Sequence, residues 1–163
     1  MILVDTSVRV DHLRRGDPRL VDLLERSIVI MHPFVIGEMA CGNLRGRVSI
    51  LELLRDLPAA AVVEGDEVLR FIERHVLHGK GIGYVDAHLL ASAALTEGAK
   101  IWTRDKRLRL VAEVLGSAYQ DTPHRGFVRS RSQRVAQADA LDFWSAPVKP
   151  ARSKGCKSPT TKT

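Results

Sequence analysis

Short apolar runs alternate with longer amphipathic segments along most of the chain, and this alternation constrains the fold more than any other feature. The runs at residues 2–4, 28–31 and 101–103 are rich in β-branched or aromatic residues, and each precedes a helical pattern. Weaker runs lie at residues 61–63 and 118–119. Because strands that alternate with helices form parallel sheets, we expect an α/β domain, a three-layer α/β/α sandwich with a mainly parallel four- or five-stranded sheet.

Four acidic residues fall where such a sheet would gather them at one edge. Asp5 and Asp105 directly follow the first and fourth predicted strands, and Glu38 lies about one turn into the helix after the second strand. Asp86 opens the predicted helix before the fourth strand; that helix and the strand each span about 17 Å, so the chain returns to the same end. Ligands of doubly wound sheets bind outside the carboxyl ends of the strands. The sequence therefore predicts one carboxylate cluster.

Four neighbouring carboxylates resist joint ionisation, and a divalent cation removes that repulsion. The predicted cluster contains only oxygen ligands, which favour Mg²⁺ or Mn²⁺ over zinc. A metal-bound water can attack a phosphodiester while the cation neutralises the charge that develops on the phosphate. The pattern therefore predicts metal-dependent hydrolysis of phosphodiester bonds.

Each acid, taken singly, also has an ordinary structural interpretation. Asp5 and Asp105 could cap helices, and Asp86 could be a helix acid favoured by the helix dipole. Glu38 is harder to explain in this way, because its helix is otherwise apolar and an unpaired buried acid is costly. Their coincidence on one predicted edge favours the functional interpretation.

Composition and charge separate the body of the chain from its last forty or so residues. The net charge is +6 among 163 residues, and the whole excess falls after residue 120. We expect residues 1–122 to form the domain and residues 123–163 to be a basic, disordered extension, either solvated or in contact with RNA. No apolar stretch is long enough to span a membrane, and neither a signal peptide nor a disulfide framework (the cysteines are Cys41 and Cys156) is evident. These features predict a cytoplasmic protein without membrane association.

Two other classes of α/β protein lack their signatures here. A haloacid-dehalogenase-type phosphatase would need an aspartate two residues after Asp5, where the chain has Ser7. A nucleotide-binding regulatory module would need a glycine fingerprint after the first strand, and none is present.

Around the four acids the sequence resembles the PIN-domain nucleases, and most closely the VapC-type toxins of bacterial toxin–antitoxin pairs. The resemblance covers about residues 1–120 and is carried by four segments: MILVDTSV from residue 1, HPFVIGEMACGNLR from residue 32, GYVDAHLLASA from residue 83 and WTRDKRL from residue 102. Each segment alone is a weak signal, but their order and spacing are specific. The sequence departs from the resemblance at Arg9, where such toxins often have a bulky aromatic residue.

The resemblance implies a PIN-like sheet with strand order 3-2-1-4-5 and an endoribonuclease dependent on Mg²⁺ or Mn²⁺ that releases 5′-phosphate and 3′-hydroxyl ends. It carries over Asp5, Glu38, Asp86 and Asp105 as catalytic and metal-binding acids, and Thr6, Ser7 and Thr103 as hydrogen-bonding support. Its implied partners are RNA as substrate, a cognate antitoxin protein and a second copy of the chain in a homodimer. Two alternatives stay open: a PIN-domain RNA-processing nuclease without an antitoxin, and a non-catalytic RNA-binding module.

Overall fold

The computed structural model describes residues 1–120, which fold into short strands alternating with helices. The strands are β1 (Ile2–Val4), β2 (Val29–Ile30) and β3 (Lys100–Trp102). The helices are α1 (Thr6–Arg15), α2 (Pro18–Glu25), α3 (Pro33–Cys41), α4 (Arg47–Arg55), α5 (Gly65–Arg74), α6 (Tyr84–Leu95) and α7 (Lys106–Val114). The predicted α/β class is therefore confirmed.

The sheet is parallel throughout, with β1 at its centre in the order β2-β1-β3. Leu3 of β1 aligns with Ile30 on one side and with Ile101 on the other. All three residues of β1 are buried, as is typical of a parallel strand covered on both faces. Helix α1 packs against α3, α3 against α4, and α5 against α6.

The prediction of four or five strands was wrong for the described residues, which contain three strands. The outer two members of the predicted order are present only as single parallel bridges, Met31 with Ala59 and Ile101 with Ala118. On the β2 side, backbone pairing ends at Ala60, whose N–H donates to the Met31 carbonyl, and Val62 of the predicted strand is 56% exposed. If each bridge is counted as an outer strand of the sheet, the order of the strands is the expected 3-2-1-4-5.

Helix α1 begins immediately after β1 because the Asp5 side chain caps it. Asp5 accepts hydrogen bonds from the backbone N–H groups of Thr6 and Ser7. The helix ends at Gly16, whose positive φ of 75° suits glycine, and Asp17 then caps α2. The capping role that the sequence allowed for Asp5 is therefore present in the structure.

Helix α6 begins two residues earlier than the sequence indicated. Its first residue is Tyr84, so Asp86 does not open the helix but lies in its first turn. There the Asp86 Oδ2 accepts the backbone N–H of Gly83 at 2.8 Å, which satisfies one of the free donors at the helix N-terminus.

The predicted extension at residues 123–163 lies outside the residues that the structure describes, as does Cys156. Cys41 is an exposed free thiol. Among residues 1–120, no helix has both the length and the apolar character needed to cross a membrane.

Candidate active site

Asp5 lies at the carboxyl end of the central strand and is held there by hydrogen bonds from two neighbouring elements. Its Oδ1 accepts the Thr6 N–H at 2.7 Å, and its Oδ2 accepts the Ser7 hydroxyl and, at 2.8 Å, the Thr103 hydroxyl. The Asp5 backbone N–H donates to the Trp102 carbonyl at 3.0 Å. Asp5 is only 7% exposed, so these donors replace much of the water that would solvate an ionised carboxylate.

Glu38 reaches the same region from α3. The Thr6 hydroxyl donates to Glu38 Oε2 at 2.5 Å, which links α3 to the first turn of α1. Contrary to the expectation of a buried acid on an apolar helix, Glu38 is exposed. It projects from the solvent side of α3, whereas Val35 and Met39 are buried.

Asp105 follows β3 and caps α7 in the same way that Asp5 caps α1. Its Oδ1 accepts the backbone N–H groups of Arg107 at 2.7 Å and Leu108 at 3.0 Å. Its own N–H donates to the Thr103 hydroxyl at 2.9 Å. Thr103 therefore contacts both Asp5 and Asp105, and it joins the ends of β1 and β3.

Asp86 lies close enough to the other three acids for their charges to affect its pKa. Its pKa is raised above the ordinary value of 3.8, first by burial and then by the negative charges of Asp5, Asp105 and Glu38, against the lowering effect of the Gly83 N–H. The positive ends of α1, α6 and α7 lie beside Asp5, Asp86 and Asp105 respectively, and offset part of this repulsion. The structure thus brings the four predicted acids into one region.

The donor set suits a hard divalent cation, because every acidic ligand offers oxygen and the acids repel one another without a cation. As the side chains stand, no three acidic, histidine or cysteine groups within residues 1–120 are arranged as a formed metal site. The carboxylates instead accept hydrogen bonds from hydroxyl and backbone groups. A cation would therefore have to draw them together by rotation of side chains such as the exposed Glu38 and Asp105.

A second network behind the acids was not anticipated from the sequence. Asp17, buried at the break between α1 and α2, binds Arg19 at 3.1 Å and Arg104 at 2.6 Å. Both guanidinium groups lie within 6 Å of the Trp102 ring centre, at 5.7 and 5.6 Å. Burial acts to raise the Asp17 pKa, but the hydrogen bonds and charge of Arg19 and the charge of Arg104 lower it overall.

This network continues to the acids through the backbone of the β3–α7 turn. The Arg104 N–H donates to the Ser7 hydroxyl at 2.9 Å, and Ser7 in turn donates to Asp5. On the other side, the Asp17 N–H donates to Nδ1 of the buried His12 at 2.8 Å. The Asp17-Pro18 pair is a sequence signal for a helix cap. The contact between Asp17 and Arg104 has no such signal, because the two residues are 87 positions apart.

The family model of the PIN domain matches residues 2–114. The chain belongs to the PIN-domain family. It is also 51% identical over 118 residues to Ribonuclease VapC32 of Mycobacterium tuberculosis, in strain CDC 1551 / Oshkosh and in strain H37Rv alike. Those alignments cover 72% of this chain and 95% of each relative.

Proposed function

We propose that this chain is an endoribonuclease dependent on Mg²⁺ or Mn²⁺ and the toxin of a toxin–antitoxin pair. The observation that carries the proposal is the grouping of four acids at the carboxyl edge of the sheet. Thr103 contacts both Asp5 and Asp105, and Thr6 links Glu38 to the first turn of α1. Asp86 lies close enough for the charges of the other three acids to raise its pKa. Family membership and the 51% identity to a ribonuclease support RNA as the substrate.

In the proposed reaction, the oxygen of a water molecule bonds to phosphorus and the bond to the ribose 3′ oxygen breaks. The leaving oxygen takes up a proton, which yields a 5′-phosphate and a 3′-hydroxyl. Asp5, Glu38, Asp86 and Asp105 are the residues that would hold the cation, which would activate the water and neutralise the phosphate charge. Ser7 and Thr103 fix the Asp5 carboxylate, while Thr6 fixes Glu38.

The test is cleavage of total RNA by the purified chain, with Mg²⁺ or Mn²⁺ and with EDTA, followed by mapping of the cleaved ends. We expect cleavage only with the metal, and 5′-phosphate ends. Asp86→Asn should reduce the rate at least a hundredfold, about 3 kcal/mol of transition-state stabilisation. The matched control is Glu113→Gln, the same loss of charge on the exposed face of α7.

Cleavage that persists in EDTA would rule out the metal mechanism. RNA binding without cleavage by the wild-type chain would instead support the non-catalytic alternative.

The proposal includes two protein partners, an antitoxin and a second copy of the chain. Several apolar side chains are exposed, among them Val114 at 87%, Leu95 at 64% and Leu110 at 60%, and covering them in a complex would be favourable. Co-purification with the product of a neighbouring reading frame tests the first partner, and sedimentation of the purified chain tests the second. If no such product binds, the RNA-processing alternative is favoured.

A further inference from the structure

An arginine is buried directly behind the candidate acids. Arg9 lies on α1 one turn after Asp5 and is 0% exposed. Its Nε donates to the Val4 carbonyl at 3.4 Å, a long hydrogen bond. Within residues 1–120 its Nη1 and Nη2 atoms have no hydrogen-bond partner. Burying a charged guanidinium without hydrogen-bond partners is energetically costly, so packing alone does not explain why an arginine stands at this position.

Arg9 lies next to Asp5, because its backbone N–H donates to the Asp5 carbonyl at 3.4 Å, and the Asp5 charge acts on its guanidinium. Burial lowers the Arg9 pKa to about 9, and attraction to Asp5 acts against this lowering. Arg9 therefore stays protonated at neutral pH. The two groups form no direct hydrogen bond, since Nη1 and Nη2 of Arg9 have no partner within residues 1–120. The Asp5 oxygens instead accept hydrogen bonds from Thr6, Ser7 and Thr103. Arg9 therefore acts on the Asp5 carboxylate through space rather than through a hydrogen bond.

We infer that Arg9 is a fixed internal counter-charge for the acid cluster, a positioning residue that partly neutralises Asp5 and weakens the binding of divalent cations. Without a cation, Arg9 reduces the repulsion that the folded chain must overcome. With a cation, Arg9 repels it from behind. The inference rests on the proposed function, because it concerns the same four acids.

The first experiment measures Mn²⁺ binding to the full-length, metal-free chain by calorimetry. Arg9→Met keeps an unbranched side chain but removes the charge. We expect it to bind Mn²⁺ at least about tenfold more tightly, because the repulsion between two positive charges is lost, and a tenfold change corresponds to about 1.4 kcal/mol. Arg9→Lys keeps the charge and should stay close to wild type. Arg15→Met, on the exposed end of the same helix, is the matched control and should also be unchanged.

Equal affinities for Arg9→Met and wild type, or equal changes for Arg9→Met and Arg9→Lys, would overturn the inference and leave the proposed function intact. A wild-type chain that binds no Mn²⁺ would overturn both.

The second experiment needs no metal. Asp5→Asn is introduced into the wild type and into Arg9→Met, and thermal midpoints are measured in EDTA. We expect Asp5→Asn to lower the midpoint more in the wild type, where it leaves a buried cation without its counter-charge, than in Arg9→Met. Equal shifts in the two backgrounds would contradict the inference.

Should Arg9→Met fail to fold, Arg9→Gln, which is neutral and can still donate to the Val4 carbonyl, replaces it in both experiments. If both neutral variants fail while Arg9→Lys folds, the requirement is for positive charge, as the inference states. If all three fail, Arg9 serves packing and the inference is wrong.

Discussion

At the scale of single residues, the acids of the site have different electrostatic surroundings. Asp5 is buried among hydrogen-bond donors and faces the charge of Arg9, whereas Asp86 is half-buried and has its pKa raised by burial and by the other three acids. Neutralising these two aspartates should therefore have different effects on the folded state. The sequence predicted which acids assemble, but not this difference, because burial and charge environment depend on residues distant in the chain.

Asp86→Asn should raise the thermal midpoint of the metal-free protein at neutral pH by a few degrees, on the order of 1 kcal/mol. Because the pKa of Asp86 is higher in the folded state than in the unfolded state, its ionisation destabilises the fold as pH rises through the folded pKa. The advantage of Asp86→Asn should therefore disappear below about pH 4, near the unfolded value. Melting curves in EDTA between pH 3 and 8, with Glu113→Gln as control, test this. A lower midpoint at neutral pH would contradict it.

At the scale of elements, the turns that follow the strands connect the parts of the site. The α1–α2 break and the β3–α7 turn are joined by the contact between Asp17 and Arg104, and the same turn reaches Asp5 through Ser7. Most helices and the inner strands followed from the periodicity of the sequence. The run at residues 61–63 is not a strand, since backbone pairing ends at Ala60. Periodicity alone could not predict this, because it does not show where pairing between distant segments ends.

Asp17→Asn should lower stability by about 1–2 kcal/mol and also slow RNA cleavage, because Arg104 would lose its anchor beside the site. The pKa of Asp17 is lowered in the folded state, so its contribution is present above the unfolded value near 3.8 and is lost as pH falls through the folded pKa. Denaturation at pH 7 and pH 3 measures this, and the difference in stability between the two proteins should be smaller at the lower pH. Asp22→Asn, which affects an exposed pair with Arg26 on α2, is the control. Equal effects of the two variants would refute the role given to Asp17.

At the scale of the whole molecule, the family match concerns the first part of the chain. The PIN model ends at residue 114, and the described residues contain a continuous apolar core that extends from the sheet to α7. Residues 1–120 carry equal numbers of acidic and basic side chains, whereas the excess of +6 lies beyond them. The sequence could separate these two parts by charge, but composition alone cannot say what the basic part contacts.

Truncation after Gln120 should leave folding and metal-dependent cleavage largely intact, because the core and the four acids are retained. If the basic residues contact RNA phosphates, the truncated chain should show a weaker dependence of RNA affinity on salt, since fewer counterions are released. Binding to a fixed RNA between about 50 and 200 mM salt, compared for the two chains, measures the change. A truncated chain that does not fold would show that the domain boundary is wrong.

The central position of β1 also has a consequence in time. Asp5 and Thr103, which meet at the edge of the sheet, are separated by 98 residues. At a translation rate of about 5–20 residues per second, roughly 5–20 s pass between the synthesis of one and of the other. Throughout that interval the nascent chain has β1 without its neighbour β3, and Asp5 without the hydroxyl that fixes it. The ribosome therefore carries an incomplete site until nearly the whole domain has been made.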